Sequence, residues 1–262
     1  MFSSILLLAC TTTDTADTAD TADTAAPVDV AEPVLIGSET VDDLTLDFLA
    51  DGGLEVGWNP VYYRLTDASG ALVEEAELVQ APLMTMDDGN HAAPFTDPSS
   101  TADAEGLFAG EIVFIMASGM MGTWENVVTV DGERSFTFAD LEVAETEMKK
   151  NLVLGEGDDA VTWIVTFTPL GEVGTGELEF VLTVHEKASM MDFPPIEDLS
   201  IVMEPWMPDM EHGSEGNVDP TYVENGRYEG LVNFTMGGYW TVDFSFTQGG
   251  TDLGVVTYEF NF

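Results

Sequence analysis

From Pro33 onward, apolar and polar positions alternate along this chain with a period of two. Val161, Trp163, Val165 and Phe167 are interleaved with Thr162, Thr166 and Thr168, and Leu178, Phe180, Leu182 and Val184 with Glu177, Glu179, Thr183 and His185. Trp240, Val242, Phe244 and Phe246 alternate with Thr241, Asp243 and Ser245, and Val256, Tyr258, Phe260 and Phe262 close the chain in the same phase. This pattern predicts half-buried antiparallel strands, whose successive side chains point to opposite faces. Turn clusters such as Asp51-Gly-Gly, Asp67-Ala-Ser-Gly70, Gly155-Glu-Gly-Asp and Gly249-Gly-Thr-Asp separate the strands. Helical periodicity is confined to one weak candidate, Ala144 to Lys150.

The pattern also occurs twice. One copy runs Ala81-Pro-Leu-Met-Thr-Met-Asp-Asp-Gly-Asn-His91, then Asp97-Pro98, Gly106-Leu-Phe-Ala-Gly110, Phe114, Met116 and Trp124. The other runs Glu204-Pro-Trp-Met-Pro-Asp-Met-Glu-His212, then Asp219-Pro220, Gly226-Arg-Tyr-Glu-Gly230, Phe234, Met236 and Trp240. From Gly106 and from Gly226 the glycine, aromatic, glycine, Phe and Met recur at identical offsets. Many short strands in two units of about 110 residues predict an all-β protein of two tandem immunoglobulin-like β-sandwiches, at residues 33–146 and 147–262.

Composition adds an extreme charge. The 262 residues include 49 Asp and Glu against 6 Lys and Arg, a formal net charge of −43. Such a surface repels phosphates, which excludes nucleic acid as a partner. The one cysteine, Cys10, follows Leu7-Leu8-Ala9 and resembles the lipobox of bacterial lipoproteins, although no basic residue precedes it. On that resemblance residues 1–9 are a signal peptide and Cys10 is lipidated, which makes the membrane a partner through the lipid. Thr11, rather than an aspartate, follows the cysteine, which resembles sorting to the outer membrane. Residues 10–32, built on a repeated Thr-Ala-Asp triplet, read as a disordered, self-repelling tether.

The candidate chemistry is soft. Met207-Pro-Asp-Met-Glu-His212 reads as a polar loop after a strand ending at Met203, so Met207 and Met210 sit where packing alone would not select methionine. Thioethers with an imidazole suit Cu(I) better than any hard cation. Trp206 or Trp240 could cover such a site, because an indole face attracts a cation within ~6 Å. In the first copy Met84, Met86 and His91 form a weaker candidate with different spacing, and Met120 and Met121 add further sulfur nearby. Strand parity assigns Met236, and with it Met116, to core packing, and does the same for Met203. His185 falls on the polar phase of its strand and reads as a surface histidine, and Met190-Met-Asp-Phe-Pro-Pro195 as a packed connection. No nucleophile and base pair, phosphate loop or Gly-x-Ser-x-Gly elbow is present, which argues against an enzyme. Asp87-Asp88 and Asp158-Asp159 lack the ligand spacing of an EF-hand.

The stretch from Ser189-Met-Met-Asp-Phe-Pro-Pro through Met207 to His212 and on to Gly226-Arg-Tyr-Glu-Gly-Leu-Val-Asn-Phe-Thr-Met-Gly-Gly-Tyr-Trp240 resembles the YtkA-like and FixH-like family of extracytoplasmic β-sandwich domains. The first copy shares only the Gly-aromatic-Gly and Phe-Met-Trp parts. Members of the family occur beside copper handling and oxidase assembly, so the resemblance implies copper binding by Met207, Met210 and His212. The sequence points to a non-enzymatic, copper-binding lipoprotein of the cell envelope with a copper-donor or copper-acceptor protein as partner. The alternative is a structural or adhesive surface lipoprotein without a metal.

Overall fold

The computed structural model describes residues 32–87 and 89–262. The expected signal peptide, Cys10 and the tether up to Ala31 lie outside the described residues. Strands dominate the rest. The first eleven are β1 (Val34–Val41), β2 (Leu44–Ala50), β3 (Leu54–Glu55), β4 (Gly57–Asp67), β5 (Leu78–Met86), β6 (Gly89–Ala92), β7 (Phe95–Thr96), β8 (Phe108–Phe114), β9 (Thr123–Val130), β10 (Arg134–Leu141) and β11 (Val143–Ala144). Nine more follow: β12 (Lys149–Leu154), β13 (Val161–Pro169), β14 (Gly176–Glu186), β15 (Leu199–Met207), β16 (His212–Gly213), β17 (Val218–Glu224), β18 (Arg227–Phe234), β19 (Tyr239–Gln248) and β20 (Thr251–Asn261). The weak helical candidate does not form. Its ends belong to β11 and β12, and the one helical turn among the described residues is Gly157–Asp159.

The two halves share one topology. A sheet in the order β1-β2-β4-β8-β7 faces one in the order β10-β9-β5-β6, and β12-β13-β14-β18-β17 faces β16-β15-β19-β20. With the last order read in reverse, β20-β19-β15-β16, the two halves are equivalent strand by strand, and both follow the Greek-key arrangement of the immunoglobulin sandwich with one added N-terminal strand. Alternation places the core as expected: Trp240, Val242, Phe244 and Phe246 of β19 are fully buried, with Phe167, Phe180, Tyr228 and Tyr258 from the neighbouring strands.

The repeated residues hold this topology in place. Gly106 and Gly226 turn the chain into β8 and β18 at φ of 79° and 74°, in the left-handed region that favours glycine. At Gly230 a Cβ would lie 2.9 Å from the Val218 carbonyl oxygen and 2.6 Å from Cζ of Phe180, so the neighbouring strand and ring can approach only a glycine. Asp97 and Asp219 do the same task in both halves, accepting the backbone N–H of Gln80 (2.9 Å) and of Met203 (2.8 Å).

The sandwiches pack against each other. Val113 and Ile115 of β8 and its following turn meet Ile164 and Phe193 of the second half in a small apolar cluster. The Trp58 N–H donates to Oγ1 of Thr168 (3.1 Å), and Nζ of Lys149 to the Ile115 carbonyl (2.9 Å). Arg227 lies over the Trp58 ring (5.6 Å) and pairs with Glu111 across the junction (3.3 Å). This contact overturns the surface reading of His185. The outward face of β14 is covered by the first sandwich, and His185, 6% exposed, lines a small cavity with Pro94, Glu111, Val113, Phe193 and Asn225.

Candidate metal site at the ends of the two sandwiches

The hairpin between β15 and β16 carries the sharpest candidate. β15 runs four residues past the predicted strand end at Met203, and its inward phase of Leu199, Ile201 and Met203 continues to Met207. Met207 is therefore not a loop residue. It is 4% exposed and packs in the second core, so burial alone accounts for a large apolar side chain there. Met207 and His212 are the register partners that close the hairpin, with Met210 in the turn between them, its N–H bonded to the Met207 carbonyl (3.2 Å). Met210 is 59% exposed, which keeps the expectation that packing does not explain it.

His212 is held in a defined way. Its Nδ1 lies 2.8 Å from the Gly213 carbonyl oxygen. A carbonyl only accepts, so Nδ1 carries the proton and Nε2 of the neutral ring carries the lone pair. The ring stands edge-on to Trp240, with centroids 5.8 Å apart at 79°. Trp240 is fully buried beneath it, and its indole N–H donates to the Met236 carbonyl (3.0 Å). Trp206 is not part of this group. As the neighbour of Met207 on a strand it points to the other face, where it is half-exposed, so of the two expected covers only Trp240 lies by the imidazole.

The first copy repeats the arrangement. Met84 pairs with His91 across β5 and β6, and Met86 with Gly89 beyond it. His91 also directs Nδ1 at a carbonyl, that of Ala92 (2.7 Å). Trp124 is buried and donates its indole N–H to Met116 (2.9 Å). Gly122 occupies the place of Gly238. A Cβ on it would meet Cγ of Met86 at 2.9 Å and of Met84 at 3.1 Å, while one on Gly238 would collide with Cε of Met207. The difference lies in what covers the two copies. His91 is 3% exposed and stacked on Phe193 of the second sandwich (5.2 Å), and the Ala92 N–H donates to the Met190 carbonyl (2.9 Å). Burial, and then the Lys187 and Lys149 charges, push the His91 imidazole below its ordinary range, partly offset by the Ala92 hydrogen bond. Met84 is fully buried in the first core, Met86 is partly buried against it, and Met120 and Met121 are exposed.

Two further readings change. Met236 is 40% exposed rather than core, because β18 ends at Phe234 and the chain leaves the sheet before reaching it. Met190 and Met191 are exposed rather than packed; in that connection it is Phe193 that is buried. Among the described residues, no group of three or more His, Cys, Asp and Glu side chains is gathered as a metal site. The sulfur donors stand apart from that chemistry.

Among solved structures the chain is similar to the Escherichia coli adhesin FdeC, with 15% identity and a TM-score of 0.27 over 84% of this chain and 65% of that one. It thus spans about two thirds of the adhesin chain. It is also similar to a conserved domain protein from Bacillus anthracis, at 8% identity and a TM-score of 0.36, covering 90% of this chain and 94% of that one. Domains 5-6 of the S-layer protein SbsC match at 8% identity and a TM-score of 0.24, over 87% and 97%. At TM-scores this low the likenesses carry no functional argument. No curated protein matches the chain. Residues 159–245, a span that takes in Met207, Met210, His212, Met236 and Trp240, match the family model of YtkA-like domains.

Proposed function

We propose that this chain is a non-enzymatic, lipid-anchored protein of the cell envelope whose second sandwich binds Cu(I) through Met207, Met210 and His212. The observation that carries the reading is the cross-strand pairing of a methionine with a histidine whose Nδ1 is committed to a backbone carbonyl, present in both halves. Register partners on one face of an antiparallel pair hold their Cβ atoms about 4.5–5.5 Å apart, a separation that a thioether and an imidazole can bridge through one ion. A hydrogen-bonded second nitrogen is the usual way in which a ligating histidine is oriented and its tautomer fixed. Two thioethers and one imidazole are a soft, neutral set that suits Cu(I). Bound there, the ion would be held for storage or transfer, with a copper-donor or copper-acceptor protein as its partner. Among the described residues no helix is long and apolar enough to cross a membrane. The proposed attachment, most naturally to the outer membrane, is the lipid on Cys10.

Competition for Cu(I) against a colorimetric chelator tests the reading on the full chain and on Met207→Leu, Met210→Leu and His212→Ala. Leucine keeps the volume and hydrophobicity of methionine, so a packing role survives the exchange and a ligand role does not. Each variant is expected to bind more weakly than wild type. If wild type binds no tighter than the triple variant, the site is refuted and a structural or adhesive role takes its place.

A further inference from the structure

We propose that Met236 supplies a third thioether to the Met207, Met210 and His212 site, giving a set of three sulfurs and one nitrogen that takes a soft monovalent ion, Cu(I) or Ag(I), and rejects Zn(II). The inference rests on the copper reading above and adds a residue that strand parity assigns elsewhere.

Position comes first. Met236 and Met116 stand at the same place in the two copies, and each has its carbonyl pinned by the indole N–H of the buried tryptophan that follows it. In the second half that indole is the one on which His212 leans, so the Met236 backbone and the imidazole are fixed to a single rigid ring. The loop after Met236 then folds over Met207. Gly238, at φ +135°, brings its backbone against Cε of Met207, and a reciprocal pair of backbone hydrogen bonds with Phe262 closes the loop there (2.7 and 3.4 Å).

Packing accounts for one copy and not for the other. Met116 is partly buried between the first core and the apolar cluster of the junction, so the second sandwich gives it a reason to be apolar. Met236 has no such cover: its flexible thioether is 40% exposed, on a backbone tied to the same indole that His212 leans on, so packing does not explain it and a ligand role does. Soft thioethers select Cu(I), while divalent zinc takes thiolate, imidazole and carboxylate.

The test is methionine-methyl proton–carbon NMR of the full chain titrated with Ag(I), then with Cu(I) under reducing conditions and with Zn(II), signals being assigned from single Met→Leu variants. The methyls of Met207, Met210 and Met236 are expected to shift together and saturate at the same ion equivalence, with no response to Zn(II). Met236→Leu is expected to weaken Cu(I) binding by at least the roughly tenfold that loss of an outer-shell partner costs. Shifts at Met207 and Met210 with Met236 unmoved, or unchanged affinity in Met236→Leu, overturn the third sulfur and leave the copper reading standing. A shared response to Zn(II) overturns the selectivity. No shift at any of the three methyls overturns both.

Discussion

Replacing His185 by glutamine should remove a defined part of the acid sensitivity of this fold. The side chain lies on β14 under the first sandwich, and burial pushes its pKa from 6.5 down to about 4, against a smaller opposing effect of a hydrogen bond with the Asn225 backbone. Above pH 6.5 the imidazole is neutral in both folded and unfolded chains and the burial costs nothing electrostatically. As the pH falls below 6.5 the unfolded chain takes up the proton first, so stability declines until the folded ring also protonates near pH 4. The shift of about 2.5 units, at ~1.36 kcal/mol each, amounts to roughly 3 kcal/mol lost across that window. Glutamine keeps a polar side chain but does not titrate. Urea unfolding followed by tryptophan fluorescence from pH 7.5 to 4.5 should therefore give a steeper decline for wild type than for His185→Gln, and ring NMR should place the His185 midpoint near pH 4. Parallel declines, together with a midpoint near that of a free imidazole, would refute burial of His185 beneath the first sandwich.

Three other substitutions probe the site and its supports. Gly238→Ala puts a Cβ into the space of the Met207 methyl at a φ that costs an L-residue about 1–2 kcal/mol, so Cu(I) affinity and thermal stability should both fall, while Gly52→Ala, in open space, leaves affinity unchanged. Tyr63→Phe removes the hydroxyl that donates to Gln80 (2.7 Å) and accepts from Asn126 (2.7 Å) inside the first core, leaving the two amides only the longer Asn126–Gln80 bond (3.3 Å) between them, and the loss should cost about 1–3 kcal/mol in denaturant unfolding. Arg227→Met leaves Glu111 facing Trp58 without its partner across the junction. It should loosen the two sandwiches by about 1–3 kcal/mol, seen as faster hydrogen exchange in β8 and β18, and Glu111→Gln in the same chain should recover part of the loss.

Much of this fold is legible in the sequence because its determinants are local. The period of two in β14 and β19 fixes which residues face the core, the paired Gly106 and Gly226 mark a left-handed turn, and Gly230 marks a crowded strand crossing that only glycine meets. The candidate site is less legible. Met84 and His91 are spaced differently from Met207 and His212, yet both pairs are register partners. β5 and β6 continue pairing through Met86 and Gly89 before turning, whereas residues 208–211 turn at once. Periodicity also says which way a side chain points but not what arrives to cover it. It left His185 on a solvent face that a second sandwich occupies, and put Met236 inward beyond the end of its strand. Met207, read as a loop residue by its Pro208 and Asp209 neighbours, lies at the end of a strand because its inward phase continues past Met203.

The seating of the connection at residues 187–195 on the end of the first sandwich makes accessibility a matter of rank. Phe193 and the Met190 carbonyl seal the histidine end of the unit before them, whereas among the described residues His212 stays partly exposed beside an exposed Met210. Any longer array built with this joint would follow the same rule, each added sandwich closing its predecessor's histidine and presenting its own. Lengthening such a chain adds sandwiches without multiplying the open imidazole, so the length of the array and the number of its open histidines are set separately.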